Sequence, residues 1–181
     1  MTNYRRIYNP NSTYFFTVNL ANRKSKLLTE NISLLRHAFK KVVAKYPFTI
    51  EAITVLPEHF HCLLTFSDIN QNYSTIIRLI KSYFSRGISY TGAITPSRAS
   101  KKERGIWQRR FWAHLITDEE DYRKHIEYCY FNPVKHGHVK RVVDWPYSSF
   151  HRDVKRGILP ADWGGESPLE LVGDLNFGEV G

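Results

Sequence analysis

Apolar residues fall along this chain in two rhythms, one of strands and one of helices. Tyr14-Phe15-Phe16-Thr17-Val18-Asn19-Leu20 is rich in aromatic and β-branched residues and is bounded by Asn9-Pro10-Asn11-Ser12 and Asn22-Arg23, which predicts a buried strand. Behind Asn31, a candidate cap, Leu35, Ala38, Phe39, Val42 and Val43 repeat at helical spacing, and Pro47 ends that helix. Phe48 to Val55 alternates as a second strand. Pro57-Glu58 then makes a tight connection, and His59-Phe60-His61-Cys62-Leu63-Leu64-Thr65-Phe66 follows as its hairpin partner. Ile76, Ile77, Ile80, Tyr83 and Phe84 mark a second helix between Tyr73 and Arg86, with Gly87 as its stop. Residues 91–105 have no period and predict a mobile basic loop, after which Ile106 to Ile116 is again strand-like. A last helix starts behind Thr117 or Asp118, with Glu119 and Glu120 in its first turn where carboxylates suit the helix dipole, and Pro133 is expected to close it.

The order β-α-β-β-α-β predicts an α+β domain with a ferredoxin-like split β-α-β antiparallel sheet, to which one helix is added. Charge divides the chain further. The formal net charge is +9, yet five of the seventeen acids and none of the twenty-six Lys and Arg lie beyond residue 156, so residues 1–156 carry +14. The expected organisation is therefore a basic domain over 1–156 and an acidic C-terminal tail over 157–181, with the tail able to lie where a polyanion would bind. A body this basic points to nucleic acid as partner. Cys62 and Cys129 both sit within apolar elements far apart in sequence, which fits reduced thiols rather than a disulfide framework. The amino-terminal stretch has no apolar core of a signal peptide and no run is long enough to span a bilayer, so the expectation is a cytoplasmic protein with no membrane partner. The oligomeric state stays open, with a monomer as the working expectation.

Candidate chemistry sits in two stretches. On a strand, His59 and His61 project to one side while Phe60, Cys62 and Leu64 face the other, which outlines a two-imidazole metal site. On the last helix, Asp121, His125, Tyr128 and Asn132 fall on one face, and Tyr122, Ile126 and Cys129 form a separate apolar stripe. Tyr128 is thus expected on the polar, exposed face, one turn before an amide oxygen at Asn132. No Cys-rich or His-x-x-x-His pattern accompanies the histidine pair, so an open cation site suits these ligands better than a closed zinc knot. Arg109, Arg110, Lys135, Arg141, Lys155 and Arg156 are candidate contacts to nucleic-acid phosphates, with Trp107, Trp112 and Tyr4 as candidate stacking platforms.

Pro57-Glu58-His59-Phe60-His61-Cys62 resembles the His-hydrophobic-His (HUH) signature of single-strand DNA nickases and transposases. Glu127-Tyr128, followed by Tyr130-Phe131-Asn132-Pro133-Val134-Lys135-His136-Gly137, resembles the tyrosine segment of one branch, the REP-associated tyrosine transposases. The likeness extends through the first strand, Ile106-Trp107-Gln108 and Asp144-Trp145-Pro146-Tyr147-Ser148-Ser149-Phe150-His151-Arg152. What it implies is a metal-dependent single-stranded DNA endonuclease and transposase that cleaves and rejoins DNA at palindromic hairpin repeats through a 5′-phosphotyrosine intermediate. Tyr128 would be the nucleophile, His59 and His61 metal ligands, and Asn132 the third ligand, where insertion-sequence relatives typically carry Gln. The cation would be Mg²⁺ or Mn²⁺. Three rivals remain: a non-catalytic single-strand nucleic-acid-binding ferredoxin-like module, a replication or conjugation nickase with paired tyrosines, and a small metal-dependent hydrolase that uses water. The first leaves the co-facial histidines and Tyr128 unexplained. Tyr128 and Tyr130 stand about 200° apart on a helix and cannot share one site, which counts against the second.

Overall fold

In the computed structural model, which describes residues 11–67, 72–89, 96–100 and 103–164, four strands form one antiparallel sheet. These are β1 (Ser12–Asn19), β2 (Thr49–Val55), β3 (His59–Phe66) and β4 (Trp112–Leu115), in the spatial order β2-β3-β1-β4. Six helices accompany them among the described residues: α1 (Leu27–Glu30), α2 (Ile32–Lys45), α3 (Tyr73–Arg86), α4 (Pro96–Ser100), α5 (Glu119–Lys135) and α6 (Phe150–Lys155). The ferredoxin-like α+β expectation holds, and α2 and α3 have the bounds that periodicity predicts.

Both faces of the sheet are covered, which is why β1 and β3 read as nearly continuous apolar runs rather than as strict alternation. Phe16 and Val18 of β1 and Phe60, Cys62 and Leu64 of β3 point to one side and pack with Leu35, Phe39, Ile77, Ile80 and Phe84 of α2 and α3. Phe15, Ala52 and Leu63 point to the other and pack with Tyr128, Cys129, Phe131 and Phe150. Gly87 follows the end of α3 with φ −81°, outside the left-handed region, and a Cβ there would come within 2.9 Å of the Leu34 side chain, so close approach rather than φ favours glycine at this position. At the outer edge of β2, Val55 donates to the Tyr147 carbonyl (2.8 Å) and Ser149 to the Ile53 carbonyl (2.8 Å). That edge is thereby closed to other chains.

Several local expectations are corrected. Asn31 does not cap α2 with its side chain, because the amide is turned back to donate to the Leu27 carbonyl of the short α1 (3.0 Å). The fourth strand is only four residues long. Trp107 leaves the strand path after a single bridge to Leu20 and inserts between Phe60 and Phe84, so it is a core residue and not a platform for bases. Within 91–105 the described residues are tied down: Pro96–Ser100 is helical, Arg98 donates to the Trp107 carbonyl (3.1 Å), and Arg104 donates to the carbonyls of Ser85 and Ile88. Pro133 lies inside α5 instead of closing it. The helix continues to Lys135 and ends where the His136 and Gly137 amides donate to the Asn132 and Val134 carbonyls, with Gly137 at φ +70°. Tyr4 lies outside the described residues.

Candidate active site

The β1–β3 register sets Thr17 opposite His61 and Asn19 opposite His59. Because i and i+2 share a face, these four polar side chains form one buried patch beyond the apolar end made by Phe15 and Leu63. The two imidazoles meet edge to edge, with Nε2 atoms 3.1 Å apart. Each is oriented from behind. His59 Nδ1 lies 2.9 Å from Glu58 Oε1, and His61 Nδ1 lies 2.9 Å from Thr17 Oγ1. Arg23 completes the outer layer, donating to Asn19 Oδ1 (2.6 Å) and standing 3.7 Å from Glu58. Burial works against the Glu58 carboxylate, but the hydrogen bond and charge of His59, with Arg23, hold its carboxyl below the ordinary range.

This geometry fits a divalent cation. A carboxylate on one Nδ1 and a hydroxyl on the other fix both rings so that both Nε2 lone pairs converge. The hydroxyl of Thr17 either donates or accepts, so His61 can carry its proton on Nδ1 when Nε2 ligates, or on Nε2 when it bonds to His59.

Opposite the pair runs α5, capped by Asp118, whose carboxylate accepts from the Asp121 amide (2.8 Å) as the sequence predicts. Cys129 anchors the helix to β3, its thiol donating to the His61 carbonyl (3.6 Å). Tyr128 is not on an exposed face: it is fully buried, with its ring edge-on to His61 (centroids 5.3 Å) and to Phe15 (6.0 Å). The polar stripe of α5 faces the sheet, where the histidine patch supplies polar company. Lys135, two helical turns on and brought near the same azimuth by the helix that continues through Pro133, donates to the Tyr128 hydroxyl (3.0 Å) and lies 4.6 Å from its ring centroid. An ammonium at that distance favours negative charge on the phenol oxygen.

The other tyrosines of α5 have different surroundings. Burial, with the charges of Glu51, Asp153 and Glu119, pushes Tyr122 up to about 12. Tyr130 projects to the far side, where burial and its hydrogen bond to Asp153 hold its proton well above the ordinary value. Asn132, one turn beyond Tyr128, is fully buried, and among the described residues no hydrogen bond reaches its carboxamide oxygen. His136 follows, its ring 5.4 Å from that of His59. The six basic candidates do not share one environment. Lys135 turns to Tyr128, Arg109 pairs with Glu103 (2.9 Å) and Ser97, and Arg141 pairs with Asp144 (2.7 Å), while Arg110, Lys155 and Arg156 are exposed. Trp112 is half-buried against Phe15 and His114. Both cysteines are free and buried, as expected, with burial raising both thiols.

Sequence reasoning missed Thr17, Glu58, Arg23 and His136 as members of the site. Glu58 alone had a local signal, its adjacency to His59.

A family model described as "Transposase IS200 like" matches residues 10–129, a span that holds the histidine pair and Tyr128. The chain belongs to the IS200-like transposase family. Within it, the chain is 46% identical over 176 residues to a putative REP-associated tyrosine transposase of Haemophilus influenzae, covering 97% of this chain and 100% of that protein. It is likewise 46% identical over 179 residues to the REP-associated tyrosine transposase of Escherichia coli K12, covering 99% and 98%. A solved structure of a REP-associated tyrosine transposase bound to a REP hairpin superposes with a TM-score of 0.83 at 46% identity, over 99% of this chain and 98% of that one. The family places the chain among tyrosine transposases, enzymes that act on DNA. No helix among the described residues is long and apolar enough to cross a membrane.

Proposed function

We propose that this transposase cleaves and rejoins single-stranded DNA at the foot of palindromic hairpin repeats, with Tyr128 as nucleophile. The Tyr128 oxygen attacks the scissile phosphorus, the bond from phosphorus to the 3′ oxygen breaks, and the released 3′ oxygen takes up a proton. The products are a 5′-phosphotyrosine and a free 3′-hydroxyl able to reverse the step. Lys135 stabilises the oxygen as its proton leaves. His59 and His61, with Asn132 as third ligand, would hold Mg²⁺ or Mn²⁺, which when bound orients the phosphate and offsets its developing charge. The observation that carries this reading is the placement of the Tyr128 ring against His61 with Lys135 on its hydroxyl, a setting that Tyr122 and Tyr130 lack. The hairpin as partner is supported by the solved relative, and the +14 body supports phosphate contacts from Arg109, Arg110, Lys135, Arg141, Lys155 and Arg156. Tyr128, His59 and His61 are fully buried in this conformation, so strand entry requires displacement of the groups that cover them.

The test is incubation of the full chain with a labelled single-stranded hairpin and Mg²⁺ or Mn²⁺, read as a covalent adduct on a denaturing gel. Tyr128→Phe should remove the adduct and retain hairpin binding. An adduct of normal yield in that variant, or one mapped by mass spectrometry to Tyr122 or Tyr130, overturns the assignment.

A further inference from the structure

A second convergence of ligand-type side chains lies at the junction of β4 and the first turns of α5, and no step of the proposed reaction uses it. His114 Nε2 is 2.9 and 3.1 Å from the two Asp121 carboxylate oxygens, and His125 Nδ1 is 2.9 Å from Asp121 Oδ1. One donor atom from each of the three residues lies within 4.8 Å of the others. The two imidazoles are stacked nearly parallel, centroids 4.6 Å apart at 13°, so both present a nitrogen edge to the one carboxylate.

Each group is oriented by a further contact. The Thr117 amide and hydroxyl donate to Asp121 Oδ2 (2.9 and 3.3 Å), Trp112 stacks on His114 (5.7 Å, 4°), and Phe15 packs on His125 (4.9 Å). Oriented ligands of this kind are what a metal site needs. His125 Nδ1 also lies 2.8 Å from the Asp121 carbonyl, a contact that ligation would replace.

We infer that His114, Asp121 and His125 form a second cation site, suited to a borderline divalent ion of the Zn²⁺ type, which clamps the edge strand β4 to the amino-terminal turns of α5. Ligand atoms bound tetrahedrally at 2.0–2.1 Å stand about 3.4 Å apart, so the observed separations need only small side-chain rotations to close on an ion. Two imidazole nitrogens and one ionised carboxylate oxygen, with room for a water, are a donor set that such an ion takes. His114 is part-exposed, which leaves the fourth position to water. Burial holds His125 toward its neutral form. It opposes the charge on Asp121, yet hydrogen bonds from His114 and Thr117 keep that carboxyl below its ordinary range. Neutral imidazole and ionised carboxylate are the states in which these groups ligate. Phe15 separates this cluster from the His59–His61 pair, its ring 5.3 Å from His61 on one side and 4.9 Å from His125 on the other. The site stands independently of the transposition reading.

The test uses the full chain stripped with chelator and titrated with Co²⁺, whose visible bands report tetrahedral nitrogen and oxygen ligation, with Zn²⁺ as competitor. In a His59→Ala/His61→Ala chain one equivalent of Co²⁺ should still bind and be displaced by Zn²⁺, and adding His114→Gln should weaken it at least tenfold. Should the double-alanine chain fail to fold, the same titration of the otherwise unaltered chain and its His114→Gln variant decides, with loss of one equivalent expected. No visible bands in the folded double-alanine chain, or equal stoichiometry and affinity with and without His114, overturns the site.

Discussion

The two faces of one sheet carry different kinds of order. On the α2–α3 face, Phe60 and Cys62 of β3 belong to the apolar cluster packed by α2 and α3, and burial of this kind stabilises without regard to direction. On the α5 face, one residue out of step, His59 and His61 are equally buried but stand in a chain of directional contacts running from Arg23 through Glu58, the two imidazoles and Thr17. Leaving a buried polar group without partners is costly, so the contacts along this chain hold its side chains in fixed orientations. One strand therefore serves stability and, in the proposed reaction, chemistry on alternate residues.

The sharpest way to break the comparison is to truncate adjacent residues of β3 on opposite faces. His61→Ala should lower adduct formation by at least about a hundredfold and cost only about 1–2 kcal/mol of stability, the range of a lost buried hydrogen bond. Phe60→Ala should cost about 3–5 kcal/mol, and what protein remains folded should retain its cleavage rate. Denaturant melts and single-turnover cleavage run in parallel decide between them. Similar stability losses with similar activity losses would mean that the two faces are not separable.

Lys81 is a charge on the apolar face. It donates to the Gln108 carbonyl (2.7 Å) beside Trp107, and burial lowers its pKa to about 8, with Arg98 adding to that effect and Glu103 opposing it. Between pH 8 and the ordinary value of 10.5 the unfolded chain holds a proton that the folded chain has released, so stability from this group rises with pH. Relative to Lys81→Met, the wild-type chain should gain roughly 1 kcal/mol between pH 8 and 10, less than full linkage gives because the group is only part-buried. Urea melts at the two pH values test this, and a difference independent of pH refutes it.

The smallest effect is expected at the carboxyl end. Trp163 packs on Tyr130 and Phe150 at 6.3 and 5.9 Å, so removal of residues 157–164 should lower the melting temperature. A chain ending at Gly164 keeps that contact and loses Glu166, Glu170, Asp174 and Glu179. If the acidic segment competes with DNA for the basic body, this chain should cleave a few-fold faster at low salt, and the gain should fade as salt rises. Unchanged or slower cleavage across the salt range ends that idea.

The chain's own pattern was enough for the element order, the bounds of α2 and α3, and the co-facial histidines, since 3.6- and 2-residue periods are local properties that any buried element must satisfy. The tyrosine and histidine segments were also enough for the family. Three things were decided only in three dimensions. Thr17 joins His61 because the β1–β3 register, set by pairing 44 residues apart, puts them opposite each other. Tyr128 lies on the polar stripe of α5 as its spacing requires, yet it is buried, because that stripe packs on the sheet face that carries the histidine pair beside Phe15. Lys135 reaches Tyr128 because tertiary packing carries the helix through Pro133, overriding a local preference to stop there. Periodicity tells which residues share a face, and only packing tells what that face meets.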